Sequence, residues 1–79
     1  MKDDDADSRD QVLKAAFGCR AALVAYAYSF TTDYAAAEDI VQNSFLIVAR
    51  KHAQFEPGTS IFAWCRAIVR LEVQNYIRK

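Results

Sequence analysis

From Val12 onward, apolar residues return at alternating spacings of four and three: Val12, Ala16, Cys19, Leu23, Tyr26 and Phe30, flanked by Leu13, Phe17, Val24 and Ala27. That rhythm places a wide apolar stripe on one face of an α-helix. Ser8 offers an N-cap, and Asp10 falls in the first turn, where the helix dipole favours negative charge. One long helix is therefore predicted from Ser8 to about Phe30. Thr31, Thr32 and Asp33 interrupt the pattern, and Asp33 is a good N-cap for a second helix running to about Lys51. Its inner stripe reads Ala37, Val41, Ser44, Phe45 and Val48, with Glu38, Asp39, Gln42 and Asn43 on the opposite side. Leu46 and Ile47 are apolar residues in excess of that stripe, so part of this helix is expected to face a partner.

Between His52 and Thr59 stand the only proline and one of the two glycines, Pro57-Gly58, which dictate a loop. Thr59 or Ser60 is expected to cap a third helix reaching about Arg78, with Ile61, Trp64, Cys65, Ile68, Leu71 and Glu72 along its inner side. Nothing alternates with the period of a strand, and no internal repeat is present. The prediction is an all-α fold, a three-helix bundle over residues 8–79, preceded by a disordered acidic tail over residues 1–7.

Composition supports a packed domain, because 53% hydrophobic residues with 13% aromatics exceed what a disordered chain carries. The formal net charge of zero hides an uneven arrangement. Residues 1–10 set Lys2 and Arg9 against Asp3, Asp4, Asp5, Asp7 and Asp10, a net of −3. Residues 50–79 set Arg50, Lys51, Arg66, Arg70, Arg78 and Lys79 against Glu56 and Glu72, a net of +4. Such a split suits a domain with one basic face and a different face for a second partner, rather than one that grips any duplex by bulk charge.

Catalytic chemistry finds little support. Glu38 and Asp39 point about 100° apart on a helix, so they form no facing carboxylate pair. Ser29, Ser44 and Ser60 have no histidine at helical spacing to act as base, and His52 is expected at the surface. Cys19, Cys65 and His52 cannot complete a four-ligand zinc site, so both cysteines are expected to be reduced, buried thiols. The reading is a non-enzyme without cofactor or metal. No leader peptide and no apolar run of membrane-spanning length is encoded, which predicts a cytoplasmic protein with no membrane partner.

Two features carry a functional reading. Arg66, Arg70, Gln74 and Arg78 repeat every four residues and so share one ridge. Acidic partners four residues away are missing along it, and the preceding loop supplies Phe55 with Gly58, Thr59 and Ser60. Guanidinium groups beside a small-residue pocket and an aromatic suit a single-stranded nucleic acid with an unstacked base. The second feature is the face Asp39, Gln42, Asn43 and Leu46, polar residues ending in an apolar one.

Three segments together resemble region 2 of bacterial sigma-70 family factors, most closely the extracytoplasmic-function group. They are Ala37-Glu38-Asp39-Ile40-Val41-Gln42-Asn43-Ser44-Phe45-Leu46, then Gln54-Phe55-Glu56-Pro57-Gly58-Thr59-Ser60-Ile61-Phe62-Ala63-Trp64, and Asn75-Tyr76-Ile77-Arg78-Lys79. The resemblance implies that Asp39, Gln42, Asn43 and Leu46 meet the clamp helices of the RNA polymerase beta-prime subunit. It implies that Phe55, Gly58, Thr59, Ser60, Arg66, Arg70, Leu71, Gln74, Asn75 and Arg78 meet promoter DNA, as the single-stranded non-template strand of the minus-ten element. An anti-sigma factor is a further expected partner. Asn43 departs from the family's usual Glu, Cys65 from a common Leu, Ala67 from a frequent Arg and Leu71 from a frequent Asn, the last two near the expected base pocket. Region 4 is absent from this chain, which is expected to be an excised domain or truncated product unable to direct initiation efficiently by itself. The alternative is a helical protein-interaction domain without nucleic-acid binding. A duplex-reading helix-turn-helix fits poorly, because that motif uses a turn of about 3–4 residues.

Overall fold

The computed structural model describes residues 2–78, with side chains from residue 6 to residue 78. Four α-helices follow one another: α1 (Lys2–Gly18), α2 (Arg20–Thr31), α3 (Tyr34–Arg50) and α4 (Ile61–Arg78), with one 3-10 turn, His52–Gln54, after α3. The fold is all-helical among the described residues, but the three-helix count is not what forms. The single helix expected from Ser8 to Phe30 is two helices, parted at Gly18 and Cys19. Glycine is a poor helix former, and at Cys19 the backbone leaves helical geometry (φ −101°, ψ 7°) while its N–H reaches back only to the Ala16 carbonyl, at 3.0 Å. Helix α1 also begins earlier than expected. Residues 2–7, read above as part of a tail, form its first turns, so Ser8 lies inside the helix rather than capping it; Met1 lies outside the described residues.

The next two junctions follow the sequence. Thr32 takes a left-handed conformation (φ 54°) and its N–H is held by the Tyr28 carbonyl at 2.8 Å, closing α2. Asp33 caps α3 by accepting the Ala36 N–H at 3.2 Å. Of the two candidate caps for α4, Ser60 is the one used, accepting the Ala63 N–H at 3.1 Å. The Thr59 hydroxyl instead donates to the Glu56 carbonyl and tightens the loop. Gly58 sits at φ +90° with open space around it, so backbone conformation, not a close neighbour, calls for glycine there.

Helix α3 packs against α1, α2 and α4, and α2 also packs on α4. Its buried residues are Ala37, Ile40, Val41, Ser44, Phe45 and Val48, the predicted stripe with Ile40 added. The Ser44 hydroxyl reaches the core by donating to the Ile40 carbonyl of its own helix at 2.8 Å. Helix α4 presents a different stripe from the one predicted: Cys65, Val69 and Val73 are buried, Ile61, Trp64, Ile68 and Glu72 only partly so, and Leu71 is 60% exposed. The reason is geometric. Six residues beyond Cys65, Leu71 has turned by about 240° from the seam, while Val69 and Val73 at four and eight stay within about 80° of it. Phe17 and Phe30 of the first stripe likewise remain outside the core, and His52, expected at the surface, is buried where α1 lies over the 3-10 turn.

These burials give two expected outcomes in urea denaturation. Leu23, fully buried, should cost about 2–5 kcal/mol when changed to Ala, a large part of the stability of so small a domain. Leu71→Ala should stay within about 0.5 kcal/mol of the parent, because the side chain is outside the core.

Candidate functional site

Burying Ala37, Val41, Ser44 and Val48 turns the other side of α3 outward, and Asp39, Gln42, Asn43 and Leu46 are all exposed there, at the i, i+3, i+4 and i+7 positions of one face. This face opens onto two hollows. Asp39 and Asn43 border a groove of about 480 Å³ shared with Asp33 and with Glu72, Asn75 and Tyr76 from the end of α4. Gln42 and Leu46 border a second, of about 320 Å³, closed on the other side by Phe17 and Arg20. Phe17 stands edge-on to Phe45 at 4.8 Å, and Arg20 approaches Glu38 at 3.7 Å, tying α2 to α3. The first hollow has three carboxylates on its wall and no arginine or lysine; the second is mainly apolar.

The DNA-facing residues expected from sequence do not line a single hollow. Arg66 lies over the Phe62 ring at 5.4 Å. Arg70 is exposed, and neither it, Arg66 nor Arg78 joins an ion pair among the described residues. Phe55 is half-buried against Trp64, ring centroids 5.4 Å apart, so its face is only partly open. Gly58, Thr59 and Ser60 are exposed, but the Thr59 and Ser60 hydroxyls are engaged within the loop and the cap. None of the three principal hollows is bounded by this loop.

What the structure does bring together is a third hollow, of about 300 Å³, between the end of α3 and the last turns of α4. Ile68, Leu71, Glu72, Gln74, Asn75 and Arg78 line it from α4, and Ile47 and Arg50 from α3 with Lys51, the residue that caps it. In the sequence Arg50 and Lys51 stand out only as part of the basic last third of the chain. Their part in this wall depends on how α4 crosses α3, which no local pattern reveals. Glu72 and Asn75 stand between this cationic hollow and the acidic one, and the Asn75 amide donates to the Glu72 carboxylate at 3.4 Å.

A comparison with family descriptions finds a match to sigma-70 region 2 over residues 19–79. The chain belongs to the sigma-70 region 2 family. This region 2 chain is also 35% identical over 60 residues to a probable RNA polymerase sigma factor, RfaY, of Xanthomonas campestris pv. campestris. The match takes in 76% of this chain and 15% of that relative, so the chain spans a small part of its relative's length. No solved structure matches significantly. The matched segment holds α2, α3 and α4, and with them all three hollows apart from the Phe17 edge. Among the described residues no three His, Cys, Asp or Glu side chains are gathered to hold a metal ion, and no helix is long and apolar enough to cross a membrane.

Both cysteines are free, Cys65 buried and Cys19 partly exposed, which corrects the expectation that both are buried. Burial first, and the nearby Cys19 second, push the Cys65 thiol up from 9.0 to about 11. The folded state therefore holds this proton more tightly than the unfolded one. Its contribution to stability is intact below pH 9 and is lost as pH climbs from there to about 11. Cys65→Ser should flatten that part of the stability–pH curve, measured by urea titration at stepped pH. A parent curve with no decline above pH 9 beyond that of the Ser variant would contradict the assignment.

Proposed function

We propose that this region 2 domain is of the extracytoplasmic-function type, works in the cytoplasm, and joins the RNA polymerase core to the minus-ten promoter element without catalysing a reaction. Asp39, Gln42, Asn43 and Leu46 meet the clamp helices of the beta-prime subunit. The exposed Leu46 and the apolar hollow beside it supply desolvated contact area, and the carboxylates of the neighbouring groove attract basic partner side chains. Helix α4 and the end of α3 hold the non-template strand. Arg50, Lys51, Arg70 and Arg78 take phosphates, and Leu71, Gln74 and Asn75 face the bases, with Phe55, Gly58, Thr59, Ser60 and Arg66 at the loop end. An anti-sigma factor that covers the α3 face would exclude polymerase.

The observation that carries this reading is the division of one small surface into an acidic hollow and a cationic one, with Glu72 on the boundary. A domain that binds protein on one side and a polyanion on the other needs such a boundary, because like-charge repulsion keeps the strand off the protein-binding side. Promoter opening then needs no ATP. A surface that accepts unstacked bases stabilises the melted duplex relative to the closed one, and the equilibrium shifts by that difference.

Fluorescence titration of the chain should show tighter binding to a single strand bearing the minus-ten sequence than to a random duplex at matched salt. Equal affinity would overturn the proposal. Each of Arg50→Ala and Arg78→Ala should reduce the slope of log affinity against log salt by about 0.7 while leaving binding to the isolated clamp helices unchanged. Asp39→Arg should have the reverse selectivity, weakening the clamp contact by at least about tenfold, roughly 1.4 kcal/mol, and sparing DNA.

A further inference from the structure

Leu71 is out of place for a residue in a cationic groove. An exposed leucine by itself means little, since isolated apolar side chains are common on protein surfaces. This one is 60% exposed on the wall of a hollow of about 300 Å³, where with Ile47 and Ile68 it makes an apolar strip among Arg50, Lys51 and Arg78, the amides Gln74 and Asn75, and a single carboxylate, Glu72. Leu71, Gln74, Asn75 and Arg78 follow at i, i+3, i+4 and i+7, so they stand on one helical face and meet an occupant together. An occupant that matches this lining carries negative charge for Arg50, Lys51 and Arg78 and an apolar group for Leu71. A hollow of this size lies at the small end of ligand pockets, which suits one nucleotide unit at a time rather than a duplex.

Among the DNA bases only thymine carries a methyl group on the edge that side chains read, and apolar contact is the way proteins recognise it. We infer that Leu71 reads the C5 methyl of a thymine in a DNA single strand whose phosphates lie along Arg50, Lys51 and Arg78. The inference rests on the proposal that this hollow holds DNA, and adds which base is preferred and by which atoms. Uracil presents the same hydrogen-bonding groups without the methyl. The same contact therefore favours thymine-containing DNA over a strand in which each thymine is replaced by deoxyuridine, at identical charge and sugar chemistry.

The test compares labelled oligothymidylate with oligodeoxyuridylate of equal length, titrated with the whole chain and with Leu71→Ala. A seated methyl should favour thymidylate by about fourfold, and Leu71→Ala should remove the difference without changing the salt dependence. Equal affinity of the parent chain for the two strands, or a preference that persists in Leu71→Ala, would overturn the role of Leu71 and leave the DNA-binding proposal standing. Failure of both strands to bind would overturn that proposal and the inference with it. Tighter binding of an oligoglutamate of matched charge than of either strand would assign the hollow to an acidic peptide instead.

Discussion

The whole surface of this domain is set by one seam, where the small side chains of α3 lie against those of α2 and α4. Val41, Val48, Leu23, Val69 and Val73 are all but fully buried, and Ala27 and Ala37 let the helix backbones come close. The helices pack into a body of 42 × 21 × 18 Å, so the core is a single layer and there is no second shell to absorb a misplaced side chain. Helical periodicity then does the rest. Once Ala37, Val41, Ser44 and Val48 point inward, Asp39, Gln42, Asn43 and Leu46 have no direction but outward. Once Cys65, Val69 and Val73 point inward, Leu71, Gln74, Asn75 and Arg78 are left to face solvent and the end of α3.

The legible parts of this fold were those where one local signal sufficed. Asp33 as a cap, Pro57-Gly58 as a loop and the α3 stripe could each be read from a few neighbouring residues, and each formed. The misreadings came where two local signals competed. In the first segment the apolar rhythm runs on through Gly18, and counting it as one stripe gave too little weight to the low helix propensity of glycine, so the break at Cys19 was missed. In α4, apolar residues occupy almost every angular position, including Ile61, Phe62, Trp64, Ile68, Val69, Leu71 and Val73. Periodicity alone then cannot choose the seam, and the choice of Leu71 over Val69 was wrong by most of a half-turn. The aspartates near the N-terminus resembled a tail in composition, yet from Lys2 they belong to a helix whose later turns lie on α3 and the 3-10 turn.

The candidate site was legible as two lists of residues but not as shapes. Sequence spacing placed Asp39, Gln42, Asn43 and Leu46 on one face, and they share it. It also grouped Arg66, Arg70, Gln74 and Arg78 as a ridge, but the hollow on that side takes Gln74 and Arg78 without the other two and adds Arg50 and Lys51 from the end of another helix. Concavity arises between elements, and a linear pattern describes only one element at a time.

The interruption at Gly18 and Cys19 has a mechanical meaning. A continuous rod would transmit a bend or an unwinding at its start straight into α2, which lies against both α3 and α4. Because the hydrogen-bond ladder is restarted at Cys19, where its carbonyl accepts the Leu23 N–H at 2.9 Å, melting of α1 can stop there. A disturbance at the start of α1 is thereby kept out of the hydrogen-bond ladder of α2, while Val12 and Ala16 anchor the later turns of α1 in the core and Phe17 keeps its place on the wall of the apolar hollow.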